Sequence, residues 1–307
     1  MPEQIVGLDI PRRMAELNIP AVSIAVARGG QINTFAFGPI DDQTMFQAAS
    51  ISKPVFALAV MRLHEQGRLD IDAPAAHLKY YWRKYPVTLA QLLSHTAGTS
   101  VHGFSGYGEG PSLPTVEQIL RGSPPANSPR VKLKRRPGTH FDYSGGGYVL
   151  AQKAVADMLN VDFHTLLREL VLEPCGMRHS TFEQELPPGA NIPPGDYKRM
   201  PELAAAGLWT TPADLIGLGL ELQRALRGKS ALLRKETLET MLTPVKNNYG
   251  LGFGLWDDAF GHTGSNIGYR SCWRISRHSD SAIAIMINAQ GPGVSTLMDE
   301  ITQAIGL

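Results

Sequence analysis

Ser50 and Lys53 stand three residues apart in Ser50-Ile51-Ser52-Lys53, at the head of an apolar run. On a helix, positions i and i+3 share a face, so the Lys53 amine can reach the Ser50 hydroxyl. A serine is a poor nucleophile until a neighbour takes its proton. A lysine can take it if burial or nearby positive charge lowers its pKa. The helix start also brings backbone N–H groups near Ser50, and these favour a developing anion. Taken alone the pattern is weak: a chain of this composition holds about one such spacing by chance, and Ser50 can equally be a helix cap.

Two further signals follow. Tyr143-Ser144-Gly145 opens a helical stretch after PGTHFD. A phenol can relay a proton if nearby cations depress its pKa, and Lys53 would serve, although a lone tyrosine is more often a core residue. His262-Thr263-Gly264, followed by Ser265, lies in a strand-rich region near the C-terminus. A glycine on an edge strand lets a substrate approach the backbone closely. The N–H of Ser265 could then pair with that of Ser50 as an oxyanion hole.

The elements that must position these groups are legible in outline. AVSIAVAR (21–28) and QINTFAFG (31–38) read as a hairpin turning at Gly29-Gly30. PVFALAVMRLHEQG after Ser50 has no clean polar face before Arg62, so it reads as a buried helix stopping near Gly67. Residues 87–98 read as a short helix and 101–140 as a long irregular connection. Residues 144–159, 162–172 and 211–228 read as helices, with Asp162 and Thr211 as caps. Strand character returns at 248–256, 260–263, 269–277 and 281–289, with a turn at 278–280 and a closing helix at 293–305. Strands at both ends and helices between them predict one sheet built from both termini with a helical region inserted: a sheet lobe from 1–65 and 230–307, and a mainly helical lobe from 66–229.

Composition narrows the function classes. The 307 residues carry 29 basic and 28 acidic groups, a net +1, which disfavours nucleic acid and other polyanions as partners. No stretch of about 20 uncharged apolar residues is present, so no membrane span is expected. The opening segment lacks a signal-peptide core, which predicts a cytoplasmic protein as written, or a periplasmic or secreted one if the chain is a processed mature form. Cys175 and Cys272 are read as reduced thiols. His64, His77, His95, His102, His140, His164, His179 and His278 show no metal-ligand spacing, so neither a metal nor another cofactor is expected.

In combination and in this order, SxxK, Y-S-G and HTG resemble the serine β-lactamase and penicillin-binding protein superfamily, most closely its class C-like branch with esterases and D-aminopeptidases. FQAASISKPVFALAVMRLHEQGRLDIDAP, VTLAQLLSHTAGT, PGTHFDYSGGGYVLAQ, AAAGLWTTPADL and FGHTGSNIGYRS carry the likeness, which runs from about residue 15 to 305. The resemblance implies a mixed α/β (α+β) fold of β-lactamase/transpeptidase type, with an antiparallel sheet flanked by helices, an inserted helical domain and a site in the cleft between. It implies Ser50 as acylated nucleophile, Lys53 as proton acceptor, Tyr143 as proton shuttle and Ser265 as the second oxyanion donor, with Thr263, Gly264 and Gly145 against the substrate. His95, in the segment resembling LLxHTSG, is expected to be structural.

Two positions depart from the family pattern. Gly145 replaces the asparagine of Y-x-N, which removes an amide-reading group and predicts added room. His262 replaces the lysine of K-T-G and keeps only part of its attraction for carboxylates. Both point away from efficient β-lactam hydrolysis and towards a carboxylesterase acting on short esters, with weak β-lactam activity at most. A D-aminopeptidase or other amidase, a β-lactamase, and a slow-turnover penicillin-binding or sensory protein are the alternatives. An α/β-hydrolase is disfavoured, since no G-x-S-x-G is present. Phe104, Tyr107 and Trp209 are candidates for an acyl pocket, with plain packing equally expected. The partner is a small-molecule ester or amide, and the oligomeric state is not legible.

Overall fold

The computed structural model describes residues 4–5, 7–75, 85–110 and 112–306; His77 lies outside them. Six strands form one antiparallel sheet: β1 (Val22–Arg28), β2 (Gln31–Phe37), β3 (Gly254–Leu255), β4 (Ala259–Asn266), β5 (Tyr269–Ser276) and β6 (Ala282–Ile287). Their order is β2-β1-β6-β5-β4-β3, so the sheet is indeed assembled from both ends of the chain. β6 lies in the middle and is buried at every position, as its unbroken apolar run AIAIMI requires. Gly29 and Gly30, both at positive φ, make the two-residue turn between β1 and β2.

Helices cover both faces of the sheet. The first and last, α1 (Ile10–Leu17) and α5 (Pro292–Ile305), lie on one face, where Ile10, Met14, Leu297 and Ile301 meet Ile24, Ile283 and Ile285. The other face packs into the larger core through α2 (Ser52–Glu65) and α4 (Pro212–Leu226). α4 sits directly on the sheet: Gln223 Nε2 bonds the carbonyls of Ser276, Ser279 and Ser281. A Cβ at Gly219 would lie 3.2 Å from Ile275. Beyond α2 come α3 (Gly145–Leu159), the short helices Leu89–Leu93, Val116–Arg121 and Phe163–Leu167, and a π-type continuation Arg168–Leu172.

Most of the expected elements form. α2 is buried nearly all round, consistent with its lack of a polar face. Asp162 and Thr211 cap as expected, accepting from Thr165 N at 2.9 Å and Asp214 N at 3.1 Å. The stretch 101–140 is not wholly irregular: Thr115 and Gln118 form a reciprocal capping box that starts Val116–Arg121. The strand read at 248–256 shrinks to Gly254–Leu255, because Lys246–Gly250 closes a separate turn. That shortness leaves β4 without a strand partner on its outer edge from His262 to Asn266.

Candidate active site

Ser50 sits where the chain turns from a short bridge strand, Phe46–Gln47, into α2. Ala49, immediately before it, has φ of 50°, a left-handed conformation that costs a side-chain-bearing residue about 1–3 kcal/mol. The segment is held on several sides. Ser52 Oγ donates to Ala49 O at 2.6 Å and accepts from Leu208 N at 2.9 Å, while Ser271 Oγ donates to Ala48 O at 2.8 Å. β4 crosses so close that a Cβ at Gly264 would lie 2.2 Å from the Ala48 carbonyl. Glycine at 264 is therefore what brings the unpaired edge of β4 beside Ser50.

Lys53 is the second residue of α2 and is buried. Its Nζ is 3.0 Å from Ser50 Oγ and donates to the Ala205 carbonyl at 2.8 Å. No carboxylate forms an ion pair with it among the described residues, so burial lowers the ammonium from 10.5 to about 7. The Lys53 amine is thus a base poised near neutrality beside a serine hydroxyl.

Tyr143 faces Ser50 from the residue before the cap of α3. Its hydroxyl hydrogen-bonds Ser50, and Lys53 Nζ lies 5.0 Å from its ring centre. Burial raises the phenol above its ordinary value, and the Ser50 bond offsets this only in part. The depression by Lys53 expected from the sequence does not occur, since a lysine that is itself poised near neutrality supplies little positive charge. The phenol of Tyr143 is therefore protonated at neutral pH. Its position is set by Ser144, whose N–H donates to His95 Nδ1 at 3.0 Å and whose Oγ caps Gly147 N at 3.0 Å and donates to Ser100 O at 2.7 Å. The His95 ring lies against Tyr143, with centroids 4.2 Å apart, and burial holds it neutral.

His262 is also buried, on β4. Nδ1 lies 2.6 Å from the Thr263 carbonyl, which can only accept, so Nδ1 carries the proton. Nε2 then accepts from the Tyr249 hydroxyl at 3.0 Å. Burial, with the Lys53 charge second, lowers its pKa to about 3. Both ring nitrogens are engaged and the ring is uncharged, so the partial attraction for carboxylates read from the sequence vanishes altogether.

Gly145 does not open room. A Cβ there would lie 3.0 Å from Phe104 Cε2 and 3.1 Å from the His102 carbonyl. The ring of Phe104 fills the space beside the glycine, and Gly145 N donates to His102 O at 3.0 Å. Trp209 is fully buried against Tyr197 and Tyr269, and Tyr107 accepts from Asn127 N, so both are packing residues away from the cleft.

Ser50, Tyr143, His262, Thr263, Gly264 and Ser265 share one cavity of about 530 Å³. Sequence reasoning missed two contributors. His102 lines the cavity and its ring lies tilted against Tyr143, with centroids 4.9 Å apart; its place just after the HTAGT segment was the available signal. Tyr249, the partner of His262, had no signal beyond strand character. Among the described residues no cluster of three His, Cys, Asp or Glu could hold a metal, and no helix is long and apolar enough to cross a membrane.

The family model described as Beta-lactamase matches residues 9–306. The chain is 23% identical to PbpX of Bacillus subtilis (strain 168), named as a candidate penicillin-binding protein, over 94% of this chain and 76% of that one. It superimposes on the octameric penicillin-binding protein homologue from Pyrococcus abyssi with a TM-score of 0.79 at 24% identity, covering 96% and 75% of the two chains. It superimposes on D-amino acid amidase from Ochrobactrum anthropi SV3 with a TM-score of 0.78 at 20% identity, covering 98% and 97%. These structures share the fold.

Proposed function

The chain belongs to the beta-lactamase family, and on that footing we propose that it is a serine hydrolase acylated at Ser50, turning over short-chain esters most readily. The observation that carries this reading is the buried Lys53 amine, half neutral at about pH 7 and largely uncharged above it, and 3.0 Å from Ser50 Oγ. In the proposed step Lys53 takes the Ser50 proton as Oγ attacks the acyl carbon. The oxyanion is met by the N–H groups of Ser50 and Ser265. Support for Ser265 comes from the β4–β5 register: Asn266 and Tyr269 close a two-residue turn, so the next pair, Ser265 and Arg270, is of the kind that leaves its N–H groups pointing away from the ladder. The protonated phenol of Tyr143 delivers a proton to the leaving oxygen and accepts one back from water in deacylation.

Esters rather than β-lactams fit the position of His262, which is neutral and engaged and so offers no charge to a carboxylate at that point. Phe104 beside Gly145 leaves no amide-reading side chain there. Thr263 and Gly264 line the acyl path. The same reading divides the molecule into a sheet lobe from both termini and a mainly helical lobe, with α4 assigned to the sheet it packs on. Hydrolysis of p-nitrophenyl acetate and butyrate by the wild type and Ser50→Ala tests it; a loss of roughly a thousandfold or more is expected, and equal rates overturn it. D-Alanyl amides in the same assay score amidase action, and a penicillin adduct persisting for hours by mass spectrometry scores the slow-turnover alternative.

A further inference from the structure

The cavity that holds Ser50 extends past the catalytic groups. It runs over the outer face of β4, where Thr263 and Ser265 are exposed, to Arg270 on β5 and to Ser295, Met298 and Asp299 on α5. Ser265 and Arg270 are direct cross-strand partners. Residues 295 and 299 stand one turn apart on the same helix face. One cavity is therefore lined by an arginine and an aspartate. Among the described residues neither of them forms an ion pair, with the other or with any third group.

Their neighbours behave differently. Glu300, adjacent to Asp299, is tied to Arg13 at 2.6 Å. Among the described residues Arg270 has only carbonyl partners: its Nη1 donates to Asn266 O at 2.8 Å and Tyr269 O at 2.9 Å, which anchors the side chain over the β4–β5 turn. With His262 uncharged, the positive charge of the cavity stands at 270. A ligand of one sign would meet one of these groups and be opposed by the other. A ligand bearing both signs completes both.

We infer that Arg270 and Asp299 are specificity-determining residues for a dipolar substrate, a short aminoacyl ester or amide carrying both a carboxylate and an ammonium group. This rests on the reading of the Ser50 cavity as the substrate cleft, and it makes the cleft selective for charge without any charge at position 262.

The test measures binding, so that turnover is not required. Ser50→Ala protein is titrated calorimetrically at low salt with alanyl-alanine, in the D,D and L,L forms, and with its N-acetyl, C-terminal amide and doubly blocked derivatives. The free dipeptide of one configuration is expected to bind tightest, with each block weakening binding about tenfold or more. Adding Arg270→Gln should erase the effect of amidation and keep that of acetylation; adding Asp299→Asn should do the reverse. Arg270→Lys, which keeps the charge, should retain most of the preference for the free carboxylate. Equal binding of all four forms, no binding by any, or an unchanged preference in Asp299→Asn, an exposed helix position where folding is not at stake, overturns the inference. Ester turnover separates the two readings. Charge-blind binding alongside Ser50-dependent turnover sinks only this inference, and charge-selective binding without such turnover sinks only the hydrolase.

Discussion

Replacing Lys53 by Met should abolish turnover and at the same time stabilise the protein, in a way that depends on pH. In the fold the Lys53 ammonium titrates near 7 against 10.5 for the exposed group, because burial penalises the charge. Between those two values the unfolded chain binds a proton that the folded chain does not. Stability from this group therefore rises with pH across that window and is lowest below about 7. At about 1.4 kcal/mol per pH unit the full deficit is about 5 kcal/mol. Methionine removes the titration and fills a similar volume. It also strips the Ala205 carbonyl of its partner, which costs about 1–3 kcal/mol. The net gain below pH 7 is then about 2–4 kcal/mol, and it should shrink and turn to a loss as pH approaches 10. Urea denaturation of both proteins at pH 6, 8 and 10 measures this directly. A variant that is less stable than wild type at pH 6, or a difference that does not change with pH, refutes the reasoning that Lys53 is held near neutrality by burial alone.

Other consequences are sharper in direction than in size. The rate on a neutral ester should rise through about pH 7 with a single ionisation, that of Lys53, because His262 at about 3 stays neutral throughout; a second limb near 6.5 that disappears in His262→Asn would contradict this. Gly145→Asn should destabilise by about 1–3 kcal/mol through its contact with Phe104, and Phe104→Ala in the same chain should recover much of that loss in thermal unfolding. Ser144→Ala removes the cap of α3 and the bond to Ser100 O, so it should cost about 1 kcal/mol and lower kcat more than it raises KM by loosening Tyr143.

The order of strands and helices, the buried character of α2 and the serine–lysine–tyrosine set were legible because each depends on local periodicity or short spacing. Ser50 and Lys53 meet because three residues on a helix always do. α1 was missed because its charged surface resembles an ordinary loop, and Val116–Arg121 because a capping box was hidden in a Gly- and Pro-rich stretch. The room at Gly145 and the charge at His262 were misread for one reason. Substituting a smaller residue predicts space only if nothing else moves in, and Phe104, 41 positions before Gly145 in sequence, moves in. A histidine in place of lysine predicts partial charge only if water reaches it, and Tyr249 and the Thr263 carbonyl seal it off.

What the amino-acid sequence determined by itself was the set of groups available: a serine hydroxyl, an amine three residues later, a phenol, and an edge strand thin enough at Gly264 to approach them. What only the tertiary structure decided was the state of each group, because protonation follows burial, and burial is a property of the packed core rather than of any one segment. The same holds for the charges around the cleft. Arg270 and Asp299 come from a strand and from the last helix, and no spacing along the chain announces that folding sets them in one cavity with Ser50.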